Sequence, residues 1–352
     1  MLPTHINKLQ GIQILRGMAA SMIVLLHCIY VAYSRMTPPD EVSARAGLFL
    51  GIGVDIFFVI SGFIMMMIND ERDDGAGRFL VNRICRIAPN YWFYTFALAV
   101  VGAMYPSMLR AVDVNVETVL KSLFFIPFIR PNGELQPLLG VGWTLNYEMF
   151  FYLLFAVLIG MSGLRRTFAM VLAFAALYAL SLAADQGTAF RSFFGNTIVF
   201  TFTGGMALHL VFRKWGRPRP SFAVVALAGA AAMLGPMLGA WNPPWETRFL
   251  LWGIPSMLIV YATLGLAPSG HAVARALERL GDASYTLYLS HTFVATVVFV
   301  AWQHLGPVLP AVFIPAAFAV SVAVALVAHR VVEIPLTHAA RWAFEARRRR
   351  PA

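Results

Sequence analysis

The stretch Gly51–Ile52–Gly53–Val54–Asp55–Ile56–Phe57–Phe58–Val59–Ile60–Ser61–Gly62 is apolar on every side yet carries one acid. A helix that is hydrophobic all round is buried in a large core or in a membrane. An ionisable side chain at mid-membrane costs about 2.5–3.5 kcal/mol on insertion scales, so Asp55 is a functional candidate by default. The preceding apolar run opens at Gln13–Ile14–Leu15–Arg16–Gly17 and reaches His27, placing an arginine and a histidine in the same surroundings.

Outward from these two runs the pattern repeats. Of 352 residues, 59% are hydrophobic and 12% charged, which excludes an ordinary soluble domain. Ten apolar runs, at about 12–33, 48–68, 89–109, 141–160, 168–184, 193–212, 221–240, 248–267, 283–303 and 309–330, approach the length that crosses a core roughly 30 Å thick. The expected fold is all-α, a polytopic membrane bundle of about ten helices, because a helix in lipid satisfies its own backbone. With the N-terminus and alternate loops on one side, 20 of the 27 Lys and Arg fall there, which by the positive-inside rule makes both termini cytoplasmic. The net charge of +10 therefore reports orientation, and nucleic acid is excluded as a partner. The first run is too polar beside Arg16 for a cleaved leader and is expected to stay in the mature protein. Cys28 and Cys85 provide no disulfide framework.

Between the spans, the connection 110–140 contains the short apolar piece Leu123 to Ile129, expected at the outer interface. Residues 69–88 open with Asp70–Glu71–Arg72–Asp73–Asp74, and their second half, Arg78 to Arg86, reads as a short amphipathic helix on the membrane surface. A transmembrane domain over 1–337 is followed by a basic cytoplasmic tail, 338–352, suited to anionic lipid.

Arg16 and His27, eleven residues apart, share one helix face about 16 Å apart, with Ala20 and Ile23 between them. Gly51, Asp55, Phe58 and Gly62 form a second stripe, and the two stripes are expected to face each other. A carboxylate bonded to one imidazole nitrogen fixes the tautomer and leaves the other as a base, so His27 with Asp55 suits activation of a hydroxyl. The competing reading is a buried pair that fixes packing. Glu148, entering the fourth run, reaches a similar depth and either holds the acceptor or tunes this pair, the competing reading being a protonated glutamate bonded to a neighbouring helix. Arg83 and Arg86, three apart, share a face and offer forked contacts to phosphate, or else mark orientation. His291 is a second candidate base, or a hydrogen-bonded core histidine. No histidine and acid spacing suggests a metal.

In order, Leu15–Arg16–Gly17 to His27, Gly53 to Phe63, Arg83-x-x-Arg86-x-x-Pro89-x-Tyr91–Trp92, Trp143–Thr144–Leu145-x-x-Glu148 and Ser284–Tyr285 to His291 resemble the membrane-bound acyltransferase family 3, and within it bacterial exopolysaccharide O-acetyltransferases. The resemblance implies transfer of an acyl group, usually acetyl, from cytoplasmic acyl-CoA to a carbohydrate hydroxyl, with acetyl-CoA as donor substrate and no permanently bound cofactor. It makes Arg16 and His27 the essential first-span pair, places Asp55 in the second-span motif and links Arg83 and Arg86 to the donor. Ser61 and Tyr285 are further candidates within its motifs. Many members carry two adjacent acids where this chain has Glu148–Met149, and no fused transferase domain of the kind some members carry after the last span is expected. The implied partners are acyl-CoA, a carbohydrate acceptor that is free or lipid-linked, membrane lipid and polysaccharide-assembly proteins, in the bacterial inner membrane. Two other readings stand beside the enzyme: a proton-coupled glycan transporter using Asp55, Glu148 and His27 as a relay, and a scaffold whose polar residues are all structural.

Overall fold

The computed structural model describes residues 9–36, 49–71, 75–104, 114–234, 244–304 and 309–348. The margins of some spans, Arg72–Asp73–Asp74 of the acidic run, positions 110–113 and Arg349 and Arg350 of the tail lie outside these residues. Within them the chain is helical: α1 (Gln10–Met36), α2 (Ile52–Glu71), α3 (Ala76–Met104), α4 (Val116–Leu123), α5 (Trp143–Val157), α6 (Gly163–Leu182), α7 (Ala189–Phe194), α8 (Val199–Trp215), α9 (Pro220–Leu234), a π-helical turn (Phe249–Gly253) into α10 (Ile254–Leu264), α11 (Ala272–Asp282), α12 (Ser284–Gln303), α13 (Pro310–Ala328) and, through a second π-helical turn (His329–Glu333), α14 (Ile334–Arg348). Every apolar run read from the sequence contains a helix. Among the described residues, seven segments are long and apolar enough to cross a membrane; Pro220–Leu234 and Phe249–Leu264 are shorter, and α5 has 15 residues.

The chain divides into two compact units, one of residues 1–67 and 200–328, the other of 68–199 and 329–352. In the first, α1 lies against α10, α11, α12 and α13. Ile12, Leu15 and Ala19 of α1 share a core with Ile56, Val59 and Ile60 of α2. Lipid tails are as apolar as these side chains, so close approach rather than hydrophobic burial holds such helices together. Two crossings show it. A Cβ on Gly62 of α2 would lie 2.0 Å from the Phe202 carbonyl oxygen, and one on Gly205 of α8 would lie 2.0 Å from that of Val59. Gly17 of α1 and Gly281 of α11 meet each other's helix in the same way, at 2.8 Å from Leu277 O and 2.0 Å from Gln13 O.

In the second unit α3 contacts α4, α5 and α14. Here the structure corrects the sequence reading: residues 78–86 are no separate surface helix but the first turns of α3, which runs through Pro89 without a break. A proline removes one backbone donor, and neighbouring helices let a membrane helix tolerate that loss. α14 runs from Ile334 to Arg348, through residue 338. The start of α5 is fixed by Arg130, which donates to the carbonyls of Pro137 and Leu138, and by Tyr147 Oη, 3.0 Å from Phe193 O. Arg166 closes its other end, donating to the Leu158, Ile159 and Met161 carbonyls.

Candidate active site

The first unit holds the two histidines. His27 Nδ1 lies 2.8 Å from the carbonyl of Ile23, one turn back in α1, so this nitrogen carries the proton and Nε2 keeps its lone pair. His291 repeats the arrangement in α12, with Nδ1 3.1 Å from Leu287 O. The rings meet edge to face with centroids 4.7 Å apart. His291 is buried and its Nε2 has no hydrogen-bond partner among the described residues, whereas His27 is partly exposed. Of the two rings, His27 is the more exposed.

At the other end of the same α1 face, Arg16 donates to Gln13 Oε1 at 2.9 Å and to Ser284 Oγ at 3.0 Å, the hydroxyl at the start of the helix that carries His291. Ser284 donates in turn to Gly281 O, and Gln13 Nε2 reaches Asp282 Oδ1 at 2.5 Å. Arg16 thereby ties α1 to the α11–α12 corner and sets the register of the two histidines. Tyr285, on α12, and Ser61, on α2, are half-buried.

Asp55 does not meet His27. It is fully buried and paired with Arg248, whose NH2 is 2.7 Å from Oδ2 and whose Nε is 3.3 and 3.2 Å from the two carboxylate oxygens. Arg248 lies over the rings of Trp245 and Trp252, at 5.3 and 4.7 Å. The reason is angular. The α2 residue against α1 is Gly53, where a Cβ would lie 2.7 Å from Ala19 O. Asp55, two residues on, is turned by about 200° from it. The stripe Asp55, Phe58, Gly62 exists, but its partner is α8, through Gly62 at Phe202 and the stacked Phe58 and Phe202 rings. The tautomer of His27 is therefore set by a helical carbonyl and not by a carboxylate.

The second unit gathers the remaining candidates. Arg83 is buried on α3, and Arg86, Glu148, Tyr152 and Arg341 are all near enough to act on its charge. Glu148 accepts a short hydrogen bond from the Tyr152 hydroxyl, one turn along α5. Asn90 Nδ2 donates to Thr337 Oγ1 of α14 at 3.3 Å. Arg248, Tyr152 and Arg341 escaped sequence reasoning. For Arg248 a signal exists, an arginine flanked by tryptophans at the mouth of an apolar run.

The comparisons agree with the motifs. An acyltransferase domain model matches residues 9–330. The exopolysaccharide production protein ExoZ of Rhizobium meliloti (strain 1021) is 34% identical over 291 residues, covering 81% of this chain and 88% of that protein. Nodulation protein 10 of Rhizobium leguminosarum bv. viciae is 28% identical over 290 residues, covering 72% of this chain and 75% of that protein. No solved structure matches the chain significantly. The resemblance read from the motifs is borne out, and this helical membrane protein belongs to the acyltransferase 3 family.

Proposed function

We propose that the chain is a membrane O-acyltransferase that moves an acyl group, acetyl in the first instance, from cytoplasmic acyl-CoA to a carbohydrate hydroxyl, with His27 as general base. The observation that carries this reading is the Nδ1–Ile23 bond, which leaves Nε2 of the accessible histidine free to take a proton. His27 Nε2 takes the hydroxyl proton as the acceptor oxygen attacks the thioester carbonyl. The C–S bond breaks, and the proton goes to the departing thiolate, giving an O-ester and the CoA thiol. His291 restrains the His27 ring by contact, and Arg16 holds the two helices in register.

Arg83 and Arg86 bind the donor's phosphates, for which forked guanidinium donors are suited. A relative named for exopolysaccharide production supports a polysaccharide acceptor, or its lipid-linked precursor. The 20-to-7 distribution of basic residues supports cytoplasmic termini, the ten apolar runs support about ten crossings, and the rhizobial relatives support a bacterial inner-membrane location. Purified protein given radiolabelled acetyl-CoA and candidate glycans is expected to leave label on the glycan as a base-labile ester. Glycan movement across proteoliposomes without label transfer would instead identify a proton-coupled transporter.

A further inference from the structure

We infer that Arg341 completes, with Arg83 and Arg86, a phosphate-binding site in the second unit, and that its ligand is the pyrophosphate of the acyl donor. The inference rests on the proposed acyl-CoA reading and adds to it a residue that lies beyond the matched positions 9–330.

One hydrogen bond sets the geometry. Asn90 of α3 donates to Thr337 of α14 at 3.3 Å, and Arg341 lies near enough to Arg83 and Cys85 for its charge to act on them. Numbers fall along α3 as they rise along α14, so the helices run antiparallel. Arg341 is one turn beyond Thr337 on the same face, and Arg86 and Arg83 lie one and two turns before Asn90. The register thus brings Arg341 level with Arg86 and within about one turn of Arg83. Against them, the carboxylate acting on Arg83 is Glu148, whose charge is shared with the Tyr152 hydroxyl.

Two N–H groups there are enclosed without an acceptor among the described residues, Arg83 Nε and Arg341 Nε. Buried donors are ordinarily paired, and like charges converge in a low-dielectric place only when an anion joins them. A pyrophosphate offers several acceptor oxygens and more than one negative charge, which matches three planar forks better than a single carboxylate does. A lipid headgroup phosphate shares part of this chemistry, so the test separates the two.

The full-length protein in detergent is titrated calorimetrically with CoA, and its bound phosphatidylglycerol is followed by native mass spectrometry. Arg341→Gln is expected to weaken CoA binding about tenfold. Arg341→Lys should fall between, because it keeps the charge and loses the fork. Arg330→Gln, at an exposed position in the turn before α14, should bind CoA as the parent does. If Arg341→Gln fails to fold, a folded Arg341→Lys with unchanged CoA affinity overturns the inference. So does full affinity in folded Arg341→Gln when Arg83→Gln has lost it, an outcome that leaves the donor reading intact. Loss of phosphatidylglycerol in Arg341→Gln with CoA binding unchanged would assign the site to lipid and overturn the donor ligand. Absence of CoA binding by the parent protein would remove the donor reading itself.

Discussion

Asp55 and Arg248, 193 residues apart, form a buried ion pair with NH2 2.7 Å from Oδ2. Removing one member of such a pair leaves an uncompensated buried charge, a loss of about 3–5 kcal/mol, while removing both costs less. Asp55→Asn is therefore expected to unfold far more readily in detergent than the parent, and adding Arg248→Met should recover part of the loss. Thermal melts with the yield of monodisperse protein measure this. Parental stability in an inactive Asp55→Asn protein would instead place the carboxylate in the chemistry.

On the proposed mechanism, the contact between His27 and His291 makes His291 a positioning residue. Displacing a reacting group by an ångström can cost about 10²-fold, so His291→Ala should lower kcat by up to that factor with little change in either KM. Added to His27→Gln it should do almost nothing more, because residues acting as a unit are strongly non-additive. Steady-state kinetics on both substrates separate this from a general loss of folded enzyme.

At the α2–α8 crossing, a Cβ on Gly62 would lie 2.0 Å from Phe202 O, and backbone cannot yield as a flexible side chain does. Gly62→Ala is expected to cost about 1–3 kcal/mol or more through overpacking. Gly160→Ala, with nothing within 4 Å, should melt like the parent.

Replacing Arg83 and Arg86 together by Ala should raise the donor KM and leave the acceptor KM in place. Lysine at both positions should restore only part of the loss, since it carries the charge without the bidentate fork. A changed acceptor KM with unchanged donor kinetics would contradict the assignment.

Much of this was legible in the sequence, because membrane helices announce themselves by length and apolarity, and each of the ten runs contains a helix. The ionisable residues inside them were legible for the same reason. Which of them meet was not. Both Gly51 and Gly53 precede Asp55, and only the structure shows that Gly53 is the one against Ala19, which turns Asp55 away from α1 and towards Arg248. His27 and His291 come together through the α1–α12 contact, which no local pattern encodes. The rise in charge after residue 337 reads as a basic helical tail on anionic lipid, and nothing in it shows that the helix lies against α3 with Arg341 near Arg83.

Transfer of labelled acetyl groups from acetyl-CoA to the polysaccharide by His27→Gln protein, matched to the parent for insertion and melting temperature, tests the central claim most directly. The expected result is loss of turnover by about 10²- to 10⁴-fold, the contribution of a positioned general base, with CoA binding unchanged. Parental turnover in well-folded His27→Gln protein would contradict it.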